Sequence, residues 1–537
     1  MDKKSKNALF LQGIILASAG IVTKIIGFIY RIPMANMLGE QGNGIYSVAF
    51  GIYNVALTLS SYSLPLAVSK MISGRLAKNE YQNAYRVYLQ ALFFAVAAGL
   101  VACTALFFGA GYLEELYNCA GLAKPLRVLA PTTFVVALLG VFRGFFQGHG
   151  NMVPTALSQI MEQIINAVVS IAATYQFMKA FQSSDSVAAY GAAGGTTGTL
   201  AGAIMALVVL AIIFIRQLGE MRKNKQQDET LAESTAHIYK MLLLTILPVI
   251  LSQTIYQIGY TIDDLLFGSI MVAKGLTDEM ASSLRGVFNT QYNQLINLPV
   301  AIASAMAAST IPSIVHSYVR NEIKEVHEKI DAVVKFNMVI AIPAAVGLTV
   351  LADPIISTLF PRLVTYHVMA VRLLETGSAA VIFYALSTIT TAILQGSNYM
   401  RLPVIHSGIS LLFHIGIVFV LLQFTELGVY GLVIANVVFP IMVSFLNCRA
   451  LQKRLQYEWK IGRLFIRPVF SAVIMGIVVL GVYQVIFRMT GNIQIGLLTA
   501  VIAAVPVYGF LILRTGCFTR EELEALPLGR KLLRFLK

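Results

Sequence analysis

Two cations inside the first apolar stretch are the residues best placed to do chemistry in this chain. From Ala8 to Val22 the only strongly polar side chain is Gln12; Lys24 and Arg31 follow, before a turn expected at Gly39-Glu40-Gln41-Gly42. At about 100° per residue, positions seven apart share a helix face. Gly13, Ala17, Gly20 and Gly27 fall on that face too, within roughly 80°. Small residues let a neighbouring helix or a ligand approach the backbone, and a cation in hydrocarbon needs an anion or water. Arg31 sits near the end of the stretch, where it could snorkel, whereas Lys24 is too deep. The chemistry implied is anion binding at membrane depth; a carboxylate partner on another helix is the plain alternative.

Polar stripes recur in later apolar stretches. Thr155, Ser158, Gln159, Glu162, Asn166 and Ser170 project within about 120° of one another. Gln253, Gln257, Tyr260 and Asp264 line up similarly, with Asp263 on the flank; so do Asn289, Asn293, Asn297 and Ser304, with Arg285 at the outer entrance, and Ser407, Ser410 and His414. One such stripe is ordinarily helix–helix hydrogen bonding. Four of them together with Lys24 and Arg31 favour a shared hydrated cavity. The candidate ligand-binding residues are therefore Lys24, Arg31, Arg285, Asn289, Asn293 and Asn297. Candidates for coupling or gating are Glu162, Asn166, Asp263, Asp264 and His414, with Glu162 expected to partner Lys24 or Arg31 when the site is empty.

An enzyme is disfavoured. There is no Gly-rich phosphate loop or HExxH motif. No outer connection reaches about 20 residues free of span, and catalytic carboxylates or histidines would need such a loop. Glu114-Glu115 and Asp278-Glu279 read as solvated loop charges; His406 and His414 could relay protons, with a hydrogen-bonded structural histidine as the plain alternative. Cys103, Cys119, Cys448 and Cys517 show no metal or redox spacing, and no metal or other cofactor is expected.

The elements that must position these residues follow from composition. The chain has 537 residues, 57% hydrophobic and 12% charged, with mean hydropathy +0.74. That apolar content excludes a soluble globular protein and implies an all-α polytopic membrane protein. Fourteen spans are expected, near 9–33, 45–69, 87–110, 126–147, 154–178, 190–215, 241–268, 284–312, 333–352, 370–394, 404–424, 429–448, 465–487 and 493–513. The basic start Lys3-Lys4-Lys6 is followed by no A-x-A cleavage site, so the first stretch is a retained span. With the N-terminus in the cytoplasm, 30 of the 40 Lys/Arg fall on cytoplasmic segments. That asymmetry explains the net charge of +14 without nucleic acid and places both termini in the cytoplasm.

The charged stretch Arg216–Lys240 reads as an exposed linker between two six-span lobes. The domains expected are 1–219, a linker at 220–238, a second lobe at 239–450, and 451–537 with two further spans. The lobes echo each other: Phe146-Gln147-Gly148-His149-Gly150-Asn151 before Pro154 answers Leu394-Gln395-Gly396-Ser397-Asn398 before Pro403, and Tyr190-Gly191 answers Tyr430-Gly431. With six spans each, the lobes are parallel repeats. Gln452–Pro468 and the tail from Thr519, which has a capping box with Glu522, read as interfacial anchors.

The sequence resembles the multidrug, oligosaccharidyl-lipid and polysaccharide exporters, and within them the polysaccharide-transport branch that contains stage V sporulation protein B and the MurJ-type lipid II flippases. The resemblance is carried by Thr23-Lys24-Ile25-Ile26-Gly27-Phe28-Ile29-Tyr30-Arg31, Leu64-Pro65-Leu66-Ala67-Val68-Ser69-Lys70, Arg143-Gly144 with Gln147-Gly148, Ser158-Gln159 with Glu162-Gln163, and Tyr292-Asn293-Gln294-Leu295-Ile296-Asn297-Leu298-Pro299. It implies two lobes around a cavity, in an inverted V. Alternating access would move a polyprenyl diphosphate-linked sugar outward across the cytoplasmic membrane, with the first-span cations on the diphosphate and the last two spans grooved for the polyprenyl tail. Two departures matter: Gln294 stands where the lipid II flippases carry a basic residue, and Lys24 where relatives often have arginine. The expectation is a flippase for a cell-wall precursor such as lipid II. Alternatives are a Na⁺- or H⁺-coupled multidrug exporter using Glu162 and Asp263/Asp264, and a non-transporting scaffold for cell-wall synthesis enzymes or the spore envelope.

Overall fold

A computed structural model describes residues 3–226, 228 and 231–518, with side chains throughout except 3–11, 14, 17, 218–226, 248, 251–252, 255–256, 260 and 306–312. Every regular element among them is helical, as hydrocarbon demands of a backbone that must satisfy its own hydrogen bonds. The protein is an all-α polytopic membrane protein. Among the described residues ten helices are long and apolar enough to cross a membrane, or eleven if the pair His367–Gly377 and Ala380–Gly396, bent by 46°, counts as one span. The fourteen expected spans are not reached by that measure. Its first helical stretch, Ser18–Leu76, covers two of them, and the stretches near 241–268 and 284–312 are described only in part.

The chain divides into two compact units, one ending at Gly286 and one beginning at Val287. The first holds α1 (Lys3–Ser60), α2 (Leu64–Leu76), α3 (Tyr81–Leu116), α4 (Ala123–Gly148), α5 (Val153–Ala180), α6 (Val187–Gln226), α7 (Thr235–Ala273) and α8 (Asp278–Gly286). The turn expected at 39–42 is a bend within α1: Gly39 takes φ 67°, a left-handed conformation that suits glycine. The Asn43 amide donates to the Ala35 and Gly39 carbonyls, at 2.8 and 2.6 Å, and so serves acceptors at the bend. Pro65 and Pro154 lie in the first turns of α2 and α5, where a missing N–H costs nothing. The unit boundary lies well beyond the 220–238 linker because α7 and α8 pack on α1. Gly44 faces the Ser282 backbone and Gly286 faces Glu40, with no room for a Cβ at either.

Two glycine ladders bring further helix pairs into close approach. On α4, Gly140, Gly144 and Gly148 oppose α2; a Cβ at Gly144 would lie 2.7 Å from that of Val68, and one at Gly148 2.8 Å from that of Ile72. On α6, Gly194, Gly198 and Gly202 oppose α5; a Cβ at each would approach the carbonyls of Ala173, Asn166 and Glu162 at 2.6, 2.5 and 2.5 Å. Spacing of four keeps the small residues on one face, so the backbones meet along the whole seam.

The segment after α6 is not a slack linker where it is described. Glu233 accepts from Arg75 Nε at 3.0 Å and Nη2 at 2.5 Å. Asn83 donates to the Leu231 carbonyl at 3.0 Å and accepts from the Glu233 amide at 2.9 Å, and Asp228 accepts from the Gln82 amide at 2.6 Å. Ser234 then caps α7 by accepting from the His237 amide. This strap lies on the turn between α2 and α3.

The second unit starts with a π-helical turn, Val287–Asn293. It continues through α9 (Gln294–Val319), α10 (Ile323–Val350), α11 (Ala352–Leu359), α12 (His367–Gly377), α13 (Ala380–Gly396), α14 (Arg401–Phe424), α15 (Val429–Leu455), a second π-turn (Gly462–Ile466), α16 (Arg467–Thr490) and α17 (Ile493–Arg514). The expected interfacial piece after α15 is anchored on α10: the Tyr457 hydroxyl donates to Asp331 at 2.5 Å, Lys460 pairs with the same carboxylate, and His327 bonds the Leu455 carbonyl at 2.7 Å. Ile461 and Ile466 stay exposed beside Lys460 and Arg463, an amphipathic arrangement suited to an interface. The tail from Thr519, with its capping box, lies outside the described residues.

The internal repeat reaches the backbone. α4 and α13 both end in a left-handed residue, Gly150 (φ 74°) and Asn398 (φ 65°), and the next amide reaches back to close the turn: Asn151 to Phe146 and Tyr399 to Leu394. A second pair has the same form. Lys78-Asn79-Glu80 after α2 and Arg320-Asn321-Glu322 after α9 place asparagine left-handed at φ 62° and 59°. Each glutamate then precedes the next helix at nearly equal dihedrals, φ −85°, ψ 67° and φ −82°, ψ 65°.

Candidate functional site

The two cations singled out as candidate anion ligands lie on α1. Lys24 is exposed and Arg31 half-buried, and neither pairs with a carboxylate among the described residues. The Arg31 guanidinium lies 5.7 Å from the Phe50 ring centroid, a cation–π contact across the Gly39 bend, while its Nε has no hydrogen-bond partner. Phe50 is held by Tyr46 and Tyr53, with ring centroids at 4.7 and 5.7 Å. A Cβ on Gly13 or Gly20 would meet nothing within 4 Å. The small-residue face is therefore unfilled at those two positions, whereas at Gly27 it meets Gln163 of α5, whose Nε2 lies 2.9 Å from a Cβ there. Lower on the same pair of helices Gln12 accepts from the Met152 amide at 2.8 Å, serving a free donor at the start of α5.

Glu162 does not partner either first-span cation. It accepts from Arg143 Nη2 at 2.6 Å, and Arg143 Nε donates to the Ser158 hydroxyl at 3.1 Å. Asn166 also turns away from α1: Ser170 donates to its side-chain oxygen at 2.9 Å and contacts the Gly195 carbonyl at 2.7 Å. Thr155, Ser158, Asn166, Ser170 and Thr174 are all buried. Much of the α5 stripe is thus the seam against α6 and not a cavity lining, because α6 brings glycines and backbone carbonyls to that face.

Asp263 and Asp264 are buried on α7, and Asp264 faces Gly51, where a Cβ would lie 3.8 Å from its carboxylate. Gln253 and Gln257 are half-buried on the same helix, and the Tyr260 side chain lies outside the described residues. Arg285 is not at an open entrance. It is fully buried, donating to the Tyr117 carbonyl at 2.6 Å and reaching the Asn118 carbonyl at 3.5 Å, so it serves the acceptors that end α3. Its charge is felt nearby: burial pushes the Cys119 thiol up, and Arg285 and a Ser282 hydrogen bond oppose that rise.

In the second unit Asn293 donates to Asn289 at 3.3 Å within the π-turn, and Asn297 is exposed. Tyr292 of the same motif is a packing pin, its ring filling the space beside Gly377 and its hydroxyl 3.2 Å from the Gly377 carbonyl and 3.3 Å from Asn436. His414 is buried against the Ala435 carbonyl at 3.0 Å, with the Phe439 ring at 5.7 Å. His406 bonds Asn447 at 2.7 Å, a structural contact. In the first unit Gln163 of α5 reaches Gly27, between Lys24 and Arg31 in sequence, while Glu162, Asn166 and Arg285 each have other partners. The roles of Arg143, Gln163 and the strap residues escaped the sequence reading. Only the glycine spacing on α4 and α6 was there to be noticed.

A family model described as polysaccharide biosynthesis protein matches residues 10–318, more than half the chain, and one described as MatE matches residues 290–420. The chain is 27% identical to the uncharacterized membrane protein YabM of Bacillus subtilis (strain 168), across 97% of this chain and 96% of that one. It is 25% identical to stage V sporulation protein B of the same organism, across 98% and 99%, and 25% identical to its lipid II flippase MurJ, across 98% of each. Among solved structures, a lipid II flippase MurJ in an inward closed conformation aligns with a TM-score of 0.68 at 15% identity, over 93% of this chain and 98% of that one.

Proposed function

The chain belongs to the family of polysaccharide biosynthesis proteins, and from that premise we propose that it carries a lipid diphosphate-linked oligosaccharide across the cytoplasmic membrane by alternating access. It is a membrane transporter of the multidrug, oligosaccharidyl-lipid and polysaccharide exporter superfamily, not an enzyme. The observation that carries the reading is the face of α1: two cations without carboxylate partners among the described residues, Lys24 exposed and Gly13 and Gly20 leaving room beside them. A diphosphate brings two or more negative charges, which Arg31 can meet with a fork and Lys24 with a point charge. Asn289, Asn293 and Asn297 offer neutral hydrogen-bonding groups to sugar hydroxyls. A cell-wall precursor such as lipid II is the substrate we favour, since the lipid II flippase is among the relatives spanning nearly the whole chain. Buried Asp263 and Asp264, with His414, suit coupling to Na⁺, H⁺ or the membrane potential.

A Lys24→Ala, Arg31→Ala double variant tests the reading. It should insert and accumulate normally, retain no lipid diphosphate in native mass spectrometry, and fail to move labelled lipid-linked sugar in vesicles. Normal flipping by that variant would refute the site. The MatE match over 290–420 supports a second reading, export of organic cations driven by Na⁺ or H⁺. In that case Asp263→Asn or Asp264→Asn should abolish cation transport while the double variant stays active. A scaffold would move neither substrate.

A further inference from the structure

Gln163 stands where an ordinary helix seam would carry an apolar residue. Ala167 and Ile171, one and two turns further along α5, pack against the hydrophobic cluster that contains Tyr30 and Met34 of α1. Residues four apart share a face, so Gln163 lies on the α1-facing side of α5. Its amide reaches Gly27, with Nε2 2.9 Å from the point a Cβ would occupy. Gly27 falls between the two cations on their own face, about 4.5 Å along the axis from Lys24 and about 6 Å from Arg31. Among the described residues the Gln163 side chain has no hydrogen-bond partner. A half-buried amide at membrane depth is costly unless something accepts from it, and the two cations beside it make an anion the natural acceptor.

We infer that Gln163 is a third, neutral ligand of the anion site: its carboxamide rests in the notch left by Gly27 and donates to the phosphate oxygens that Lys24 and Arg31 hold. This rests on the reading of Lys24 and Arg31 as a diphosphate site. A neutral donor between two cations adds a hydrogen bond without adding charge, so the bound anion can still be released. The same position bars a carboxylate, which would compete with the ligand for both cations.

The test uses the purified full chain titrated in native mass spectrometry with a polyprenyl diphosphate and, as a control for the tail alone, the neutral polyprenol. Gln163→Met keeps the volume and removes the donor. It should weaken diphosphate binding about tenfold, the worth of one hydrogen bond to a charged group. Gln163→Glu should weaken it further, and polyprenol binding should change in neither. Gly27→Ala leaves Gln163 in place and displaces its amide, so it should reproduce the loss with the thermal unfolding midpoint unchanged. Diphosphate binding by Gln163→Met or by Gly27→Ala at the native level would overturn the inference. If the Lys24→Ala, Arg31→Ala variant has meanwhile lost binding, the cation site survives and Gln163 is only filler; if that variant also binds normally, the underlying site is wrong as well.

Discussion

Replacing Glu233 with alanine removes one half of the ion pair that fastens the segment after α6 to the turn between α2 and α3. Arg75 would keep the Met71 carbonyl at 2.9 Å and the weakly accepting Met241 sulfur at 4.0 Å, with its side chain only 7% exposed. Stripping one partner from a buried pair costs about 3–5 kcal/mol. Glu233 is 24% exposed, and water reaching the orphaned guanidinium reduces that to about 2 kcal/mol. If the loss is local, the strap should open about 30-fold more often. The Glu233 amide reports this directly, because it donates to Asn83 at 2.9 Å and is protected only while the strap is docked. Hydrogen exchange at the Glu233 amide should therefore accelerate by about that factor, with the interior of α4 unchanged. Asn83→Ala should accelerate the same amide by removing its acceptor. Acceleration below about threefold in both variants would show that the ion pair does not hold the segment, and the argument from burial would fail.

Glu162→Gln should lower the thermal unfolding midpoint by stranding Arg143, about 1–3 kcal/mol with both side chains partly exposed, yet leave diphosphate binding at the native level; loss of binding without loss of stability would return Glu162 to the site. Gly198→Val should destabilise the chain by more than about 3 kcal/mol, since a side chain there drives Asn166 and Ser170 off α6, and wild-type melting would contradict the close seam. Cys119 is fully buried and its thiol is raised by that burial, so less thiolate is present at any given pH than for a free cysteine. Maleimide labelling followed by mass spectrometry should find it unmodified in the folded chain at pH 8, and labelled only after denaturation.

The strong apolar bias, the basic asymmetry and the spacing of Lys24 and Arg31 are properties of the chain itself. Each follows from transfer free energies and helical periodicity that hold whatever the neighbours are, so the helical membrane class and the first-span cations could be read directly. The repeat was legible in the Gln-Gly turns and reappears as matched helix ends; its second pair, at Lys78-Asn79-Glu80 and Arg320-Asn321-Glu322, is too short to stand out without the left-handed asparagines that give it meaning. Partner choice was decided only in three dimensions. Periodicity gathers Ser158, Glu162, Asn166 and Ser170 on one side of α5, but the same stripe serves a wet cavity or a dry seam. The glycines of α6 made it a seam over Asn166 and Ser170, and Arg143 claimed Glu162 from a different helix. The charge run after α6 has the composition of a solvated linker, and it is docked because Arg75 and Asn83, some 150 residues earlier in the chain, meet it. A helix pattern fixes which side chains share a face, and only the packing of distant segments fixes what that face meets.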